Sequence, residues 1–170
     1  LLSESARRCV VPIMAAVTRR TACLDVGGFR ESLRAAVDFD LWLRLAVRWP
    51  FVWTPQVTAN YRWRLAPSQV SADIARQHRS MWQSRTLVRA ELQASPASPR
   101  ASAMDAPMRE QWRTELAGAW QQRDLATVRL LLGLPGVPGG EGPFAARLRR
   151  FLGLAGPTAP TRASSFAREA

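Results

Sequence analysis

Residues 37–50, Val37-Asp38-Phe39-Asp40-Leu41-Trp42-Leu43-Arg44-Leu45-Ala46-Val47-Arg48-Trp49-Pro50, decide how the rest of this chain is read. From Phe39 to Trp49 the polar residues Asp40, Arg44 and Arg48 recur at every fourth position and make one stripe, while apolar side chains cover the remainder. That is the helical period, and a helix apolar nearly all round is a buried one. Pro50 stops it, because proline has no amide to donate and its ring collides with the preceding turn.

The flanking segments offer that helix two strands. Val10 to Val17 is an almost unbroken apolar run, the pattern of a strand buried on both faces. Val57 to Trp63 alternates Val57, Ala59, Tyr61 and Trp63 with Thr58, Asn60 and Arg62, the two-residue period of a half-buried strand. Between the first strand and the helix, Asp25-Val26-Gly27-Gly28-Phe29 reads as a turn, since paired glycines supply positive φ angles that other residues resist. Asp73 is placed to cap a helix running to about Gln93, with Ile74, Met81, Trp82, Val88 and Leu92 as its apolar stripe. Strands and helices in this order predict an α/β core.

Composition changes near residue 94. Eight of the 12 prolines and eight of the 10 glycines lie beyond it, so a compact part over 1–93 is expected to give way to something looser. Residues 94–107 (ASPASPRASAMDAP) read as a Pro/Ser/Ala linker, and 108–154 as a helical extension. Within that extension Met108–Leu132 reads as one helix, or as two short ones broken near Gly118 or Asp124, and Gly133–Pro143 is a loop. Phe144–Leu154 is an amphipathic helix with Phe144, Leu148, Phe151 and Leu152 opposite Arg147, Arg149 and Arg150. Residues 155–170 read as a disordered tail.

Charge and cysteine content exclude several classes. The chain of 170 residues carries 24 basic side chains, all Arg, against 13 acidic ones, a formal net charge of +11. The Arg come singly or in pairs rather than gathered on one arm, which argues against nucleic acid as a partner, because such affinity comes from neutralising neighbouring phosphates. With 47% apolar residues and seven Trp a sizeable core is available, yet no apolar run approaches the ~18 residues of a membrane span. Cys9 and Cys23 form neither a Cys-x-x-Cys pair nor a disulfide framework. These features point to the cytoplasm, and the basic helix over 144–154 allows peripheral contact with the inner face of a membrane.

Four features occur in order: Arg19-Arg20, Gly27-Gly28-Phe29, Asp38 to Arg44, and Tyr61-Arg62. In this sequence and spacing, Val10 to about Ser71 resembles the acceptor-binding, C-terminal half of the family 2 glycosyltransferases of GT-A fold. The resemblance implies a partial GT-A fold lacking its N-terminal donor-binding half, followed by a helical tail. It implies transfer of a sugar from a nucleotide-activated donor to a glycan, polysaccharide or lipid-linked acceptor, with inversion at the anomeric carbon. Asp38 matches the family's general base, the carboxylate that takes the acceptor hydroxyl's proton as its oxygen attacks. Asp40, Trp42 and Arg44 match the acceptor side, and Tyr61, Arg62, Arg64, Gln69 and Ser71 the loop at the donor diphosphate. A divalent metal, Mg or Mn, belongs in the family to the donor half, so none is expected on this chain. Nothing before Leu1 matches that half, and the chain is expected to be a fragment, inactive alone.

Two positions depart from the family pattern. Val37 stands where a Glu precedes the base, and Trp63 and Arg64 stand where many members carry a His. Each singled-out residue also has a plainer reading. Asp38 can be a helix cap worth ~1 kcal/mol. Asp40 and Arg44, one turn apart, can be a structural ion pair. Trp42 can be core, and Arg62 and Arg64 the exposed face of a strand. Asp38-Phe39-Asp40 has the Asp-x-Asp form of a metal motif, but it opens a helix instead of ending a strand. His78, the sole His, reads as a packed side chain. The alternatives to catalysis are a non-catalytic remnant or interaction module, and then a basic protein that binds a membrane surface or nucleic acid.

Overall fold

The computed structural model describes residues 2–60, 73–94, 100–138, 140 and 142–156, and among them every regular element is a helix. In chain order these are α1 (Leu2–Arg7), α2 (Arg20–Asp25), α3 (Val37–Arg48), α4 (Ile74–Ala94), α5 (Arg100–Gln121), α6 (Leu125–Gly133) and α7 (Pro143–Phe151), with one 3-10 turn at Ile13–Ala15. No strand or sheet occurs among the described residues, which overturns the expected α/β, partial GT-A fold.

The reason is visible in the backbone hydrogen bonds of the first supposed strand. Pro12, inside the apolar run, has no amide to give a ladder, and the amides that follow close locally, Ala15 onto Pro12 at 3.0 Å and Ala16 onto Ile13 at 3.4 Å. Its side chains are not sandwiched either: Val17 is fully exposed, and Ile13 and Met14 are about half exposed. Residues 57–60 of the second supposed strand carry no regular structure, and Tyr61 to Trp63 lie outside the described residues.

Helix α3 is as buried as its sequence demands. Phe39 to Leu45 are buried without interruption, and the helix divides two cores. Phe39 and Leu43 join the main cluster with Trp82, Val88, Met104, Met108, Trp112 and Leu131. Leu41, Trp42 and Leu45 form the second with Val11, Val26, Trp49 and Phe51 packed around them.

Asp73 caps α4 as its position predicts, accepting from the Arg76 amide at 2.9 Å. The segment read as a linker over 94–107 is helical from Arg100 onward, with Pro107 inside α5. Met104 and Met108 are completely buried there, and that burial outweighs the helical hydrogen bond that Pro107 removes. The helical extension therefore shares one core with the first 93 residues. The break before α6 falls at Asp124, whose Oδ1 accepts from the Thr127 amide at 3.0 Å. That pairing holds the Asp124 carboxyl below its ordinary value. A carboxylate with a lowered folded pKa stabilises above the unfolded value and loses that contribution as pH falls through the folded one. Asp124→Asn should thus lie below the wild type in stability at neutral pH, with the gap closing below about pH 4 in a urea titration.

Among the described residues no helix is long and apolar enough to cross a membrane. Residues 157–170, most of the expected tail, lie outside the described residues.

Candidate functional site

The Gly-Gly-Phe turn begins as the end of α2. The Gly28 amide donates to the Cys23 carbonyl and the Gly27 amide to Leu24, both at 2.9 Å. This is the paired closure of a Schellman motif, which needs a left-handed residue just past the helix. Gly27 supplies it at φ +79° and Gly28 follows at +65°. A methyl group on Gly27 would meet nothing within 4 Å, so the cost of substitution is backbone strain alone. Gly27→Ala should lower stability by about 1–2 kcal/mol, read from its urea midpoint.

A buried ionic network ties this turn to α3 and α4. Arg44 donates to the Val26 carbonyl and, at 2.6 Å, to that of Gly28, so its guanidinium grips both sides of the turn. Its Nε also donates to Asp40 Oδ2 at 2.8 Å. Arg30, just past the turn, reaches the same oxygen at 3.1 Å and pairs with Glu91 of α4 at 2.6 Å. The second Asp40 oxygen accepts from the Ser84 hydroxyl at 2.9 Å. Asp40 is 0% exposed, so its carboxylate is fully committed to these donors.

Asp38 is placed differently. It lies in the first turn of α3, past Ala36, which caps the helix in a left-handed conformation without a side-chain bond. Its Oδ1 accepts from the Phe39 amide at 2.9 Å, and its other oxygen has no partner among the described residues. The side chain is half-buried at the positive end of the helix dipole. Cys9 is a neighbour. Its surface is exposed, yet the protein around it desolvates a thiolate, and this, together with the Asp38 charge, raises the thiol's pKa. A thiol so shifted is a poor nucleophile at neutral pH.

Trp42 is buried in the second core, edge-on to Phe51 with ring centroids 6.4 Å apart, and its Nε1 has no hydrogen-bond partner among the described residues. Of the residues matched to the acceptor side, Arg44 lines a cavity. This is a cleft of about 490 Å³ beside the turn, walled by Phe29, Arg30, Arg48, Val88 and Glu91. Asp38 does not line it. Tyr61, Arg62, Arg64, Gln69 and Ser71 lie outside the described residues.

The Asp-x-Asp pair does not make a metal site, because Asp40 points into the guanidinium network and Asp38 does not. Among the described residues no three His, Cys, Asp or Glu side chains gather to hold a metal ion. His78 is half-buried, 3.6 Å from Glu115, which also accepts from the Trp82 indole at 2.8 Å.

Sequence reasoning paired Asp40 with Arg44 but missed Arg30, Ser84 and Glu91, which complete the network. It also missed Arg85, almost wholly buried between the rings of Phe39 and Trp82, 5.1 Å and 4.6 Å from their centroids. Burial pushes the Arg85 pKa down to about 10, and its Nε donates to the Ala6 carbonyl at the end of α1 at 2.7 Å. A lone Arg in an amphipathic helix carries no signal of this. Its only clue is its place three residues after Trp82 on the same face.

No protein family, no curated protein and no solved structure matches this chain.

Proposed function

We propose that this chain supplies the acceptor side of a glycosyl transfer from a nucleotide-activated sugar to a glycan, polysaccharide or lipid-linked acceptor, with Asp38 as general base. The supporting observation is the division of labour between two carboxylates. Asp40 is enclosed and neutralised, whereas Asp38, at a helix N-terminus, has one oxygen without a partner among the described residues. In the reaction the acceptor oxygen attacks the anomeric carbon, the bond to the diphosphate breaks, and the hydroxyl proton passes to Asp38. The cleft at Arg44, with Arg30, Arg48 and Glu91 on its walls, offers donors and an acceptor suited to sugar hydroxyls. Six residues of helix separate Asp38 from Arg44, about 9 Å along the axis. Base and cleft would therefore hold different parts of one extended acceptor. Donor recognition falls to Tyr61, Arg62, Arg64, Gln69 and Ser71 and to a donor-binding part that also carries the Mg or Mn ion. A cytoplasmic location is part of this proposal.

The reading rests on the motif residues and their geometry. The helical fold adds no support. The test is sugar transfer and nucleoside diphosphate release by the full-length gene product, with a panel of nucleotide sugars, Mn or Mg, and glycan or lipid-linked acceptors. Neither transfer nor donor hydrolysis across the panel would sink the proposal.

One observation favours a second reading, a non-catalytic interaction module. Val17, Val52, Trp53 and Val57 are each more than four-fifths exposed, and Val17 and Val52 line one cavity. Exposed apolar clusters of this kind mark surfaces that meet a partner. Val37, in place of the family's Glu, fits this reading too. A partner that protects Trp53 from solvent quenching, with no turnover by the full-length product, is the result that would favour it.

A further inference from the structure

Helix α7 turns one of its three Arg inward and its aromatics outward. Arg149 is 6% exposed and its Nε donates to the Leu132 carbonyl at 2.8 Å, while Phe144 and Phe151 stand 67% and 77% exposed. Phe144, Leu148 and Phe151 recur at helical spacing and share one stripe. That stripe runs into an apolar groove of about 730 Å³, walled by Trp112, Leu116 and Trp120 of α5 and by Phe144 and Leu148. Trp120 is itself about half exposed. Exposed aromatics continuous with an open apolar groove are costly in water and mark a surface that something covers.

Charge says what covers it. Arg113 lines the groove, Arg147 and Arg150 are exposed on α7, and among the described residues neither α7 nor the groove lining carries a carboxylate. A second copy of this face would bring the same guanidinium groups against these. Residues 157–170 contain two Arg, one Glu and one Phe, so their net charge is positive as well.

We propose that this face docks on an anionic phospholipid bilayer. Helix α7 lies in the headgroup layer with Phe144, Leu148 and Phe151 toward the acyl region, Arg147 and Arg150 on lipid phosphates, and an acyl chain in the groove. Interfacial helices bind in this way, through buried apolar area plus attraction to anionic lipid. The Arg stems lie along the apolar boundary while their heads stay with phosphate. The inference stands independently of sugar transfer.

The test is co-sedimentation of the full chain with vesicles of phosphatidylcholine alone and of phosphatidylcholine mixed with phosphatidylglycerol. Binding should require the anionic lipid and weaken as salt rises. Phe144→Ser with Phe151→Ser, and separately Arg147→Gln with Arg150→Gln, should each reduce partitioning about tenfold. All four side chains are exposed, so circular dichroism and the melting temperature should not move. Binding unchanged by the Phe pair overturns the proposal, since the attraction would then belong to the overall +11 charge. It is also overturned by a dimer that the Phe substitutions dissociate in the absence of vesicle binding. Vesicle binding that appears only after removal of residues 157–170 overturns it as well, because the groove's occupant would be the chain's own terminus.

Discussion

Asp40→Ala should destabilise the protein by about 3–5 kcal/mol, the largest stability loss expected from a single polar substitution in this fold. The carboxylate is 0% exposed and the Arg44 side chain only 8%. Removing Asp40 leaves the Arg44 guanidinium buried with two carbonyls and no counter-charge, and it strips Ser84 of its acceptor. An ion pair at the surface would behave otherwise, since exposed pairs contribute about 0–1 kcal/mol. Glu91→Ala supplies that comparison, because Glu91 is 53% exposed and should cost less than about 1 kcal/mol. The double variant Asp40→Leu with Arg44→Met separates charge from packing. With both charges gone the desolvation penalty goes too, and the pair should be less harmful than Asp40→Ala. Urea midpoints for the four proteins decide it. A loss below about 1 kcal/mol in Asp40→Ala would mean that water reaches the network and that the turn is held by its backbone closure alone.

What the sequence disclosed follows from how local each signal is. Helix α3 was legible because its apolar positions leave a single polar stripe and Pro50 ends it. The cap at Asp73 was legible because a carboxylate three residues before its amide partner is a one-turn pattern, while at Asp124 only a candidate break was read. Strands require a second strand, and the apolar run Val10–Val17 cannot specify one. With Pro12 inside it the segment closes its hydrogen bonds within itself. The helix from Arg100, inside the segment read as a linker, was missed for a different reason. Met104, Met108, Trp112 and Leu116 repeat at four-residue spacing straight through Pro107, and this periodicity should have outweighed the Pro/Ser/Ala composition. In α7 the apolar stripe was visible, but the buried side is the one bearing Arg149. The last turn of α6 exposes a carbonyl that needs a donor, and a guanidinium satisfies both it and the helix dipole. At the site, the four-residue step from Asp40 to Arg44 was readable, whereas Ser84 lies 44 residues away from Asp40 and Glu91 lies 61 from Arg30. Contacts at such separation are set by how helices pack, and no motif records them.

Asp38→Asn should lower the transfer rate of the full-length product by about 10²–10⁴, the usual contribution of a positioned general base. The same change should barely touch stability. The Phe39 amide, the one hydrogen-bond partner of Asp38 among the described residues, can donate to an Asn oxygen as well as to a carboxylate, so the main loss is the charge at the helix N-terminus. That loss is about 0.3–1 kcal/mol. Rate and stability are therefore separable at Asp38, whereas at Asp40 they fall together because the turn itself loosens. The kinetic form of the loss matters as much as its size. A base acts in the transition state, so kcat should fall with KM nearly constant, while a residue that only binds the acceptor would raise KM at constant kcat. Asp38→Glu adds a further constraint, since it keeps the charge but moves it by one methylene. It should recover helix stability without recovering the rate, because misplacement of about 1 Å can cost 10²-fold. If Asp38→Asn turns over as fast as the wild type, Asp38 serves the helix alone, and catalysis, if the full-length protein shows any, belongs to another carboxylate.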